Sequence, residues 1–317
     1  MGHFSMENPG QFWVEINSLL VGDALGSQVE FLDPSTILER HPEGLRNLMP
    51  GGTWDLLAGQ PTDDGEMALA LARALVEAKG FDQERVAAAY TAWGASKPFD
   101  IGGTTRAGLE ALQGRGRPNK ASQANGALMR VAPIGVAAAG DPAKAALWAR
   151  TDAALTHPHR ICQAASAAFC AAVAAGVGGA DSRTMWSAAY AHAGEDAAGA
   201  EIRTSLLEAR SALPASFMKN QGWVLNAFGN SFHRLWNGQR FEEALVETVM
   251  AGGDTDTNGA ICGALLGAAW GVTAIPPRWK LRVLGCRAVD LEGLVRHPRP
   301  SQYWADDALD LAEALLA

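Results

Sequence analysis

Apolar residues recur at helical spacing along most of the chain, and nowhere do they alternate with polar ones for long enough to make a strand. The pattern predicts a first helix over 11–26, with Phe12, Ile16, Leu19, Leu20 and Ala24 on one face. Further helices are expected from Thr62 to Gly80, over 82–93, from about Thr104, and over 141–178 with a break at Thr156-His157-Pro158-His159. The series continues over 183–192, 199–211, 221–236, 241–250, 254–271, 277–296 and 303–316. Asp33-Pro34 marks its surroundings as loop, and the stretch before Ala127 has no apolar period. These elements make one all-α domain over 1–317, built of many short helices joined by long Gly-rich loops. Loops of that length point to function. Residues 1–5 read as an expression remnant, with Met6 the expected natural start.

The stretch Ala251 to Gly271 organises the rest. Gly259, Gly263, Gly267 and Gly271 recur every four residues and leave a bare stripe on a helix, along which another backbone can approach. Asp254, Asp256 and Thr257 stand directly before it. They fit an acidic N-cap, or they fit a hard-cation site fed by oxygens. Thr62, Asp63 and Asp64 open the helix from 62 in the same way. Asp63 with Glu66 makes a passable capping box, which accounts for neither the second Asp nor the Thr.

Composition narrows the partners. A net charge of −8 excludes a general nucleic-acid binder, which needs a basic face. Cys162, Cys170, Cys262 and Cys286 show no C-x-x-C spacing and sit mostly in apolar runs, so they are expected to be core thiols in a reducing compartment. No signal peptide is evident, and no apolar run reaches the roughly 20 residues of a bilayer span, so a cytoplasmic protein with no membrane span is expected.

If the two acidic helix starts meet, at least four carboxylates share one pocket, and buried like charges of that number need cations. Oxygen-only ligands select two Mg²⁺ or Mn²⁺ ions, which can activate a water. Asn125-Gly126 reads as a turn, or as a helix mouth offering N–H groups to a phosphate. His157, in its helix break, reads as structural or as a ligand contact.

The motifs GDALG at 22–26, TDDGEMALALARAL from 62, DIGGTTRAG from 100, ANGALMR from 124, Thr156-His157 and GGDTDTNGA from 252 resemble the ADP-ribosylglycohydrolase family in order and spacing. They are most like its dinitrogenase reductase-activating branch. The resemblance implies an all-α fold, a binuclear Mg²⁺ or Mn²⁺ centre, and removal of ADP-ribose from modified proteins by cleavage at C1″ of the distal ribose. It implies Thr62, Asp63, Asp64, Asp254, Asp256 and Thr257 as metal ligands. Asp100 is implied near the scissile bond, Glu30 on a loop over the site, and Asn125, Gly126, Gly102 and His157 against the ligand. Gly65 departs from the pattern, since the family usually carries Thr or Ser there.

The expected reaction is hydrolysis of an ADP-ribosyl–arginine N-glycosidic bond. Asp100 would orient or deprotonate the water, Asp256 would serve the metal-assisted step, and Glu30 would supply the proton for the departing arginine. The alternatives are hydrolysis of another ADP-ribosyl linkage, on serine, a nucleic-acid base or a small molecule, and a non-catalytic ADP-ribose-binding module. A terpenoid synthase would need a third acid where Met67 stands, and an HD-type phosphohydrolase needs a His-Asp pair that the chain lacks.

Overall fold

A computed structural model describes residues 15–291 and 293–317. The expectations for residues 1–5 and for 11–14, Phe12 included, lie outside the described residues. The described chain forms fifteen α-helices: α1 (Glu15–Gly26), α2 (Pro34–Arg40), α3 (Asp63–Ala78), α4 (Gln83–Ala95), α5 (Gly103–Leu112), α6 (Ala132–Ala137), α7 (Pro142–Thr156), α8 (Arg160–Val177), α9 (Ser182–His192), α10 (Ala197–Glu208), α11 (Val224–Trp236), α12 (Phe241–Met250), α13 (Thr255–Trp270), α14 (Pro277–Gly285) and α15 (Ala308–Leu316). No strand occurs among the described residues; two isolated β-bridges join Gly51 to Leu56 and Ala124 to Trp223.

Helix α13 is apolar on every side and buried from Thr255 to Gly267, as a helix without a polar face must be. Its glycines set how closely α1 lies against it. A Cβ built at Gly259 would stand 2.4 Å from the carbonyl oxygen of Gly22, and one at Gly263 would stand 2.3 Å from that of Ser18. The two backbones touch, and the Thr255 hydroxyl donates to the Gly26 carbonyl at 2.7 Å. Gly271 is not part of the stripe: with φ at 78° it ends the helix. Around this pair pack α3, α8, α11 and α12, with side chains such as Phe169, Phe228, Phe232 and Trp279 filling one continuous core. Burying each contributes about 1.5–3 kcal/mol.

Helix α8 is long and apolar enough to cross a bilayer, which the sequence expectation overlooked; 89% of it is buried inside the protein, so it serves as a core helix. The four cysteines are free and buried, as expected.

Two helix expectations need correction. The segment around Asp33-Pro34 is helical from Pro34, because Asp33 accepts from the Ser35 and Thr36 amides and proline at the first helical position loses no bond. The helix expected over 277–296 stops at Gly285. Further on, the Arg299 amide reaches the Ala288 carbonyl at 2.8 Å and its guanidinium reaches Glu66 in the core.

Candidate active site

The N-termini of α3 and α13 meet. The Thr257 hydroxyl donates to Asp64 Oδ2 at 3.4 Å, joining two acidic starts that lie far apart in sequence. Neither is explained by capping. Thr62 and Asp254 occupy the cap positions of α3 and α13, and neither side chain caps its helix. Glu66 does not close a capping box: it takes both ends of the buried Arg299 fork at 2.7 Å and the Trp93 indole N–H at 2.8 Å.

Asp23 of α1 supports the start of α3 from behind. It accepts the Thr62 amide (3.0 Å), the Thr62 hydroxyl (2.9 Å) and the Gly65 amide (2.9 Å). A Cβ at position 65 would lie 2.6 Å from Asp23 Oδ2 and 2.7 Å from Pro61 Cβ. Gly65, the departure from the family pattern, therefore accompanies a close approach of this carboxylate rather than leaving a gap.

A second set of acids faces the first. Oxygens of Glu30, Asp100 and Asp256 lie within 4.8 Å of one another. Glu30 Oε2 accepts the Trp54 indole N–H at 2.6 Å. Burial, reinforced by the charge of Asp100, pushes Glu30 up to about 8. Burial raises Asp63, Asp64, Asp100 and Asp256 as well, with neighbouring carboxylates adding to the shift at each.

These acids floor one end of a cleft of about 380 Å³. Asp63, Asp254, Asp256 and Thr257 reach its surface, whereas Thr62 and Asp64 do not line it. The other wall carries Gly102, Asn125, Gly126 and His157. Asn125 Nδ2 donates to Asp254 Oδ2 at 2.7 Å, tying this wall to the acids. The Asn125 amide is engaged by the Gly222 carbonyl at 2.9 Å, so the backbone donor expected at Asn125 is not free. Gly102 lies in the lining, where its amide works against the upward shift of the Asp63 carboxyl. His157 is buried, and desolvation together with Arg130 pushes it down to about 3.

The donor set fits divalent cations. All the acids present oxygen, which suits Mg²⁺ or Mn²⁺ better than softer metals. Asp64 Oδ1 is buried with no protein partner, on a carboxylate whose ionisation its neighbours already oppose. Thr62, Asp63, Asp64, Asp254, Asp256 and Thr257 could hold such ions between them.

Several residues at the site escaped the sequence reading. Asp23 is one of them, an acid among the apolar residues of α1 whose burial signals a partner. Phe31 lines the cleft 51% exposed, with a left-handed φ of 66°. Trp54 reaches the site from a loop with no periodic signal, and Gln221 lies in the turn before α11, which starts at Val224 and not at the expected 221.

Comparison with known proteins identifies the family. The family model described as ADP-ribosylglycohydrolase matches residues 18–314. The ADP-ribosyl-[dinitrogen reductase] glycohydrolase of Rhodospirillum rubrum is 32% identical over 82% of this chain and 86% of its own length. The ADP-ribosylarginine hydrolase Tri1 of Pseudomonas putida (strain GB-1) is 26% identical over 84% of this chain and 72% of its own length. A solved structure described as an ADP-ribosylglycohydrolase-related protein complex superposes with a TM-score of 0.75 at 28% identity, covering 97% of each chain. With its acids gathered at two meeting helix starts and a family match running nearly end to end, the chain belongs to the ADP-ribosylglycohydrolase family.

Proposed function

We propose that the protein hydrolyses the N-glycosidic bond between ADP-ribose and an arginine side chain of a modified protein. The observation that carries the reading is the meeting of the acids of α3 and α13 with Glu30 and Asp100 at one end of a cleft whose other wall holds Asn125, Gly126 and His157. The arginine linkage is favoured by the relative named for ADP-ribosylarginine.

Thr62, Asp63, Asp64, Asp254, Asp256 and Thr257 would hold two divalent ions. When bound, such ions lower the pKa of water and stabilise developing negative charge. Asp100 lines the cleft beside Asp63 and takes the proton from the attacking water as its oxygen bonds to C1″. The C1″–N bond breaks through a transition state of oxocarbenium character. Glu30, held through Oε2 by Trp54, passes a proton from Oε1 to the departing guanidine nitrogen. The products are free ADP-ribose and unmodified arginine. Asn125 turns toward Asp254 and keeps the two walls in register.

The test incubates the full chain with an arginine-ADP-ribosylated protein and, separately, a serine-ADP-ribosylated peptide. Released ADP-ribose is measured with Mn²⁺, with Mg²⁺ and with chelator. Metal-dependent release from the arginine substrate alone is expected. Release from serine alone would overturn the linkage, and ADP-ribose binding without release from either would turn the reading toward a binding module.

A further inference from the structure

Behind the His157 wall, a chain of fully buried polar side chains runs out of the core. The Tyr90 hydroxyl donates to Asp152 Oδ1 at 2.7 Å. Arg130 donates through Nη2 to Asp152 Oδ2 (3.4 Å) and to Thr156 Oγ1 (2.9 Å), and through Nη1 to the Gly126 carbonyl (3.3 Å). Thr156 Oγ1 lies 2.8 Å from Nδ1 of His157.

Donor and acceptor rules fix the direction of this chain. A guanidinium has no acceptor, so the Thr156 oxygen must accept from Arg130. The hydroxyl's own proton then goes to the other partner in contact, Nδ1 of His157. Nδ1 is therefore the bare nitrogen and Nε2 carries the proton. Nε2 is buried, has no protein partner, and stands about where Gly126 lacks a side chain: a Cβ there would be 3.0 Å from it.

We infer that Thr156, oriented by the buried Arg130–Asp152 pair, locks His157 as a neutral Nε2–H donor on the wall of the cleft, available to an acceptor oxygen of the bound ADP-ribosyl ligand. A buried ion pair of this kind contributes little net stability, so its direction-setting matters more than its strength. The nearby guanidinium also opposes a second proton on the ring, so the donor stays neutral across the working pH range. The identity of the acceptor rests on the hydrolase reading above; the tautomer does not.

The test uses the full chain labelled with ¹⁵N-histidine, with the ring resonances of residue 157 assigned against His157→Asn. A bare Nδ1 and a protonated Nε2 are expected near neutral pH. Thr156→Val keeps the shape and removes the proton, so the ring is expected to lose its tautomer preference, and Thr156→Ser is expected to restore it. Thermal melting establishes that both variants fold. Calorimetry with ADP-ribose is expected to show about tenfold weaker binding by Thr156→Val, as for one lost hydrogen bond, with Mn²⁺ affinity unchanged. A wild-type Nδ1–H tautomer, or a Thr156→Val spectrum matching wild type, would overturn the lock. Unchanged ADP-ribose affinity in Thr156→Val would overturn the ligand contact. Failure of the hydrolase reading would show instead as no ADP-ribose release by the wild-type chain, with the tautomer readout unaffected.

Discussion

Gly22 of α1 and Gly259 of α13 meet backbone to backbone: a Cβ at Gly22 would lie 2.0 Å from the Gly259 carbonyl oxygen. Neither helix can yield at this crossing without parting, because the obstacle is main chain and not a side chain. Gly22→Ala or Gly259→Ala should cost about 3 kcal/mol, the upper part of the range for overpacked cores, read as a lower denaturant midpoint at unchanged slope. Asp256 rides on α13, so Mn²⁺ affinity should fall with it. A Gly259→Ala protein as stable as wild type would show that the helices have slack here.

The crowded carboxylates give the metal-free protein an unusual pH dependence. Glu30 is pushed up to about 8 and Asp23 to about 7, and Asp63, Asp64, Asp100 and Asp256 are raised in the same direction. Groups with a raised folded pKa bind protons on folding, so stability falls as pH rises from the ordinary carboxylate range toward the folded values. His157 and His297 work the other way below their ordinary value, but they are two groups against eight, since Glu66 and Asp152 are raised as well. In chelator, Tm should therefore climb as pH is lowered from 8 to 6. Mn²⁺ should raise Tm most at pH 8, where the acids are charged and competing protons are fewest. Scanning fluorimetry at matched ionic strength reads both trends, and a flat chelator profile would count against the crowding.

Arg299 anchors the C-terminal segment to the helix that carries Asp63 and Asp64. Its guanidinium is almost fully buried against Glu66 and also donates to the Ser96 carbonyl at 2.9 Å. Arg299→Met alone strands a buried carboxylate and should cost about 3–5 kcal/mol. Glu66→Met in the same chain should recover much of that loss. A double-mutant cycle by urea unfolding measures the coupling; additive losses would mean that the two residues act independently.

How much of this was readable beforehand depends on whether a signal was local. The acidic starts of α3 and α13 stood out because they hold more oxygens than a cap can use, and both proved uncapped by side chains. The glycine stripe was readable for the same reason, since period four on a helix has a fixed geometry. Residues that act through distant partners left little trace. Glu66 looked like half of a capping box because Arg299 lies far along the chain. His157 looked like a helix break because the Arg130–Asp152 pair behind it forms only in the folded protein. Asp33-Pro34 misled in the opposite sense: the same dipeptide that marks a loop also begins a helix when the Asp caps it.

Asp23 tests whether the support behind the acids matters as much as the acids. It does not line the cleft, and it accepts the Thr62 amide, the Thr62 hydroxyl and the Gly65 amide. Asp23→Asn keeps the volume but puts an NH₂ group where one of the accepting oxygens stood: at the Oδ2 position it faces the Gly65 amide, and at the Oδ1 position it removes one of the two acceptors of the Thr62 amide and reverses the bond to the Thr62 hydroxyl. The start of α3 should loosen, and Thr62 and Asp64, which touch through the Thr62 hydroxyl at 3.3 Å, should lose their fixed spacing. Supporting residues of this kind typically change metal affinity about 10–100-fold when removed. Calorimetric titration of Asp23→Asn with Mn²⁺ should show a loss in that range, with helical content by circular dichroism close to wild type. Asp23→Ala should be worse, because it takes the acceptor from two buried amides and leaves the Thr62 hydroxyl only its longer bond to Asp64. Wild-type Mn²⁺ affinity in both variants would mean that the ligands of α3 are positioned by the ions themselves, and that Asp23 serves only the stability of the α1–α3 contact.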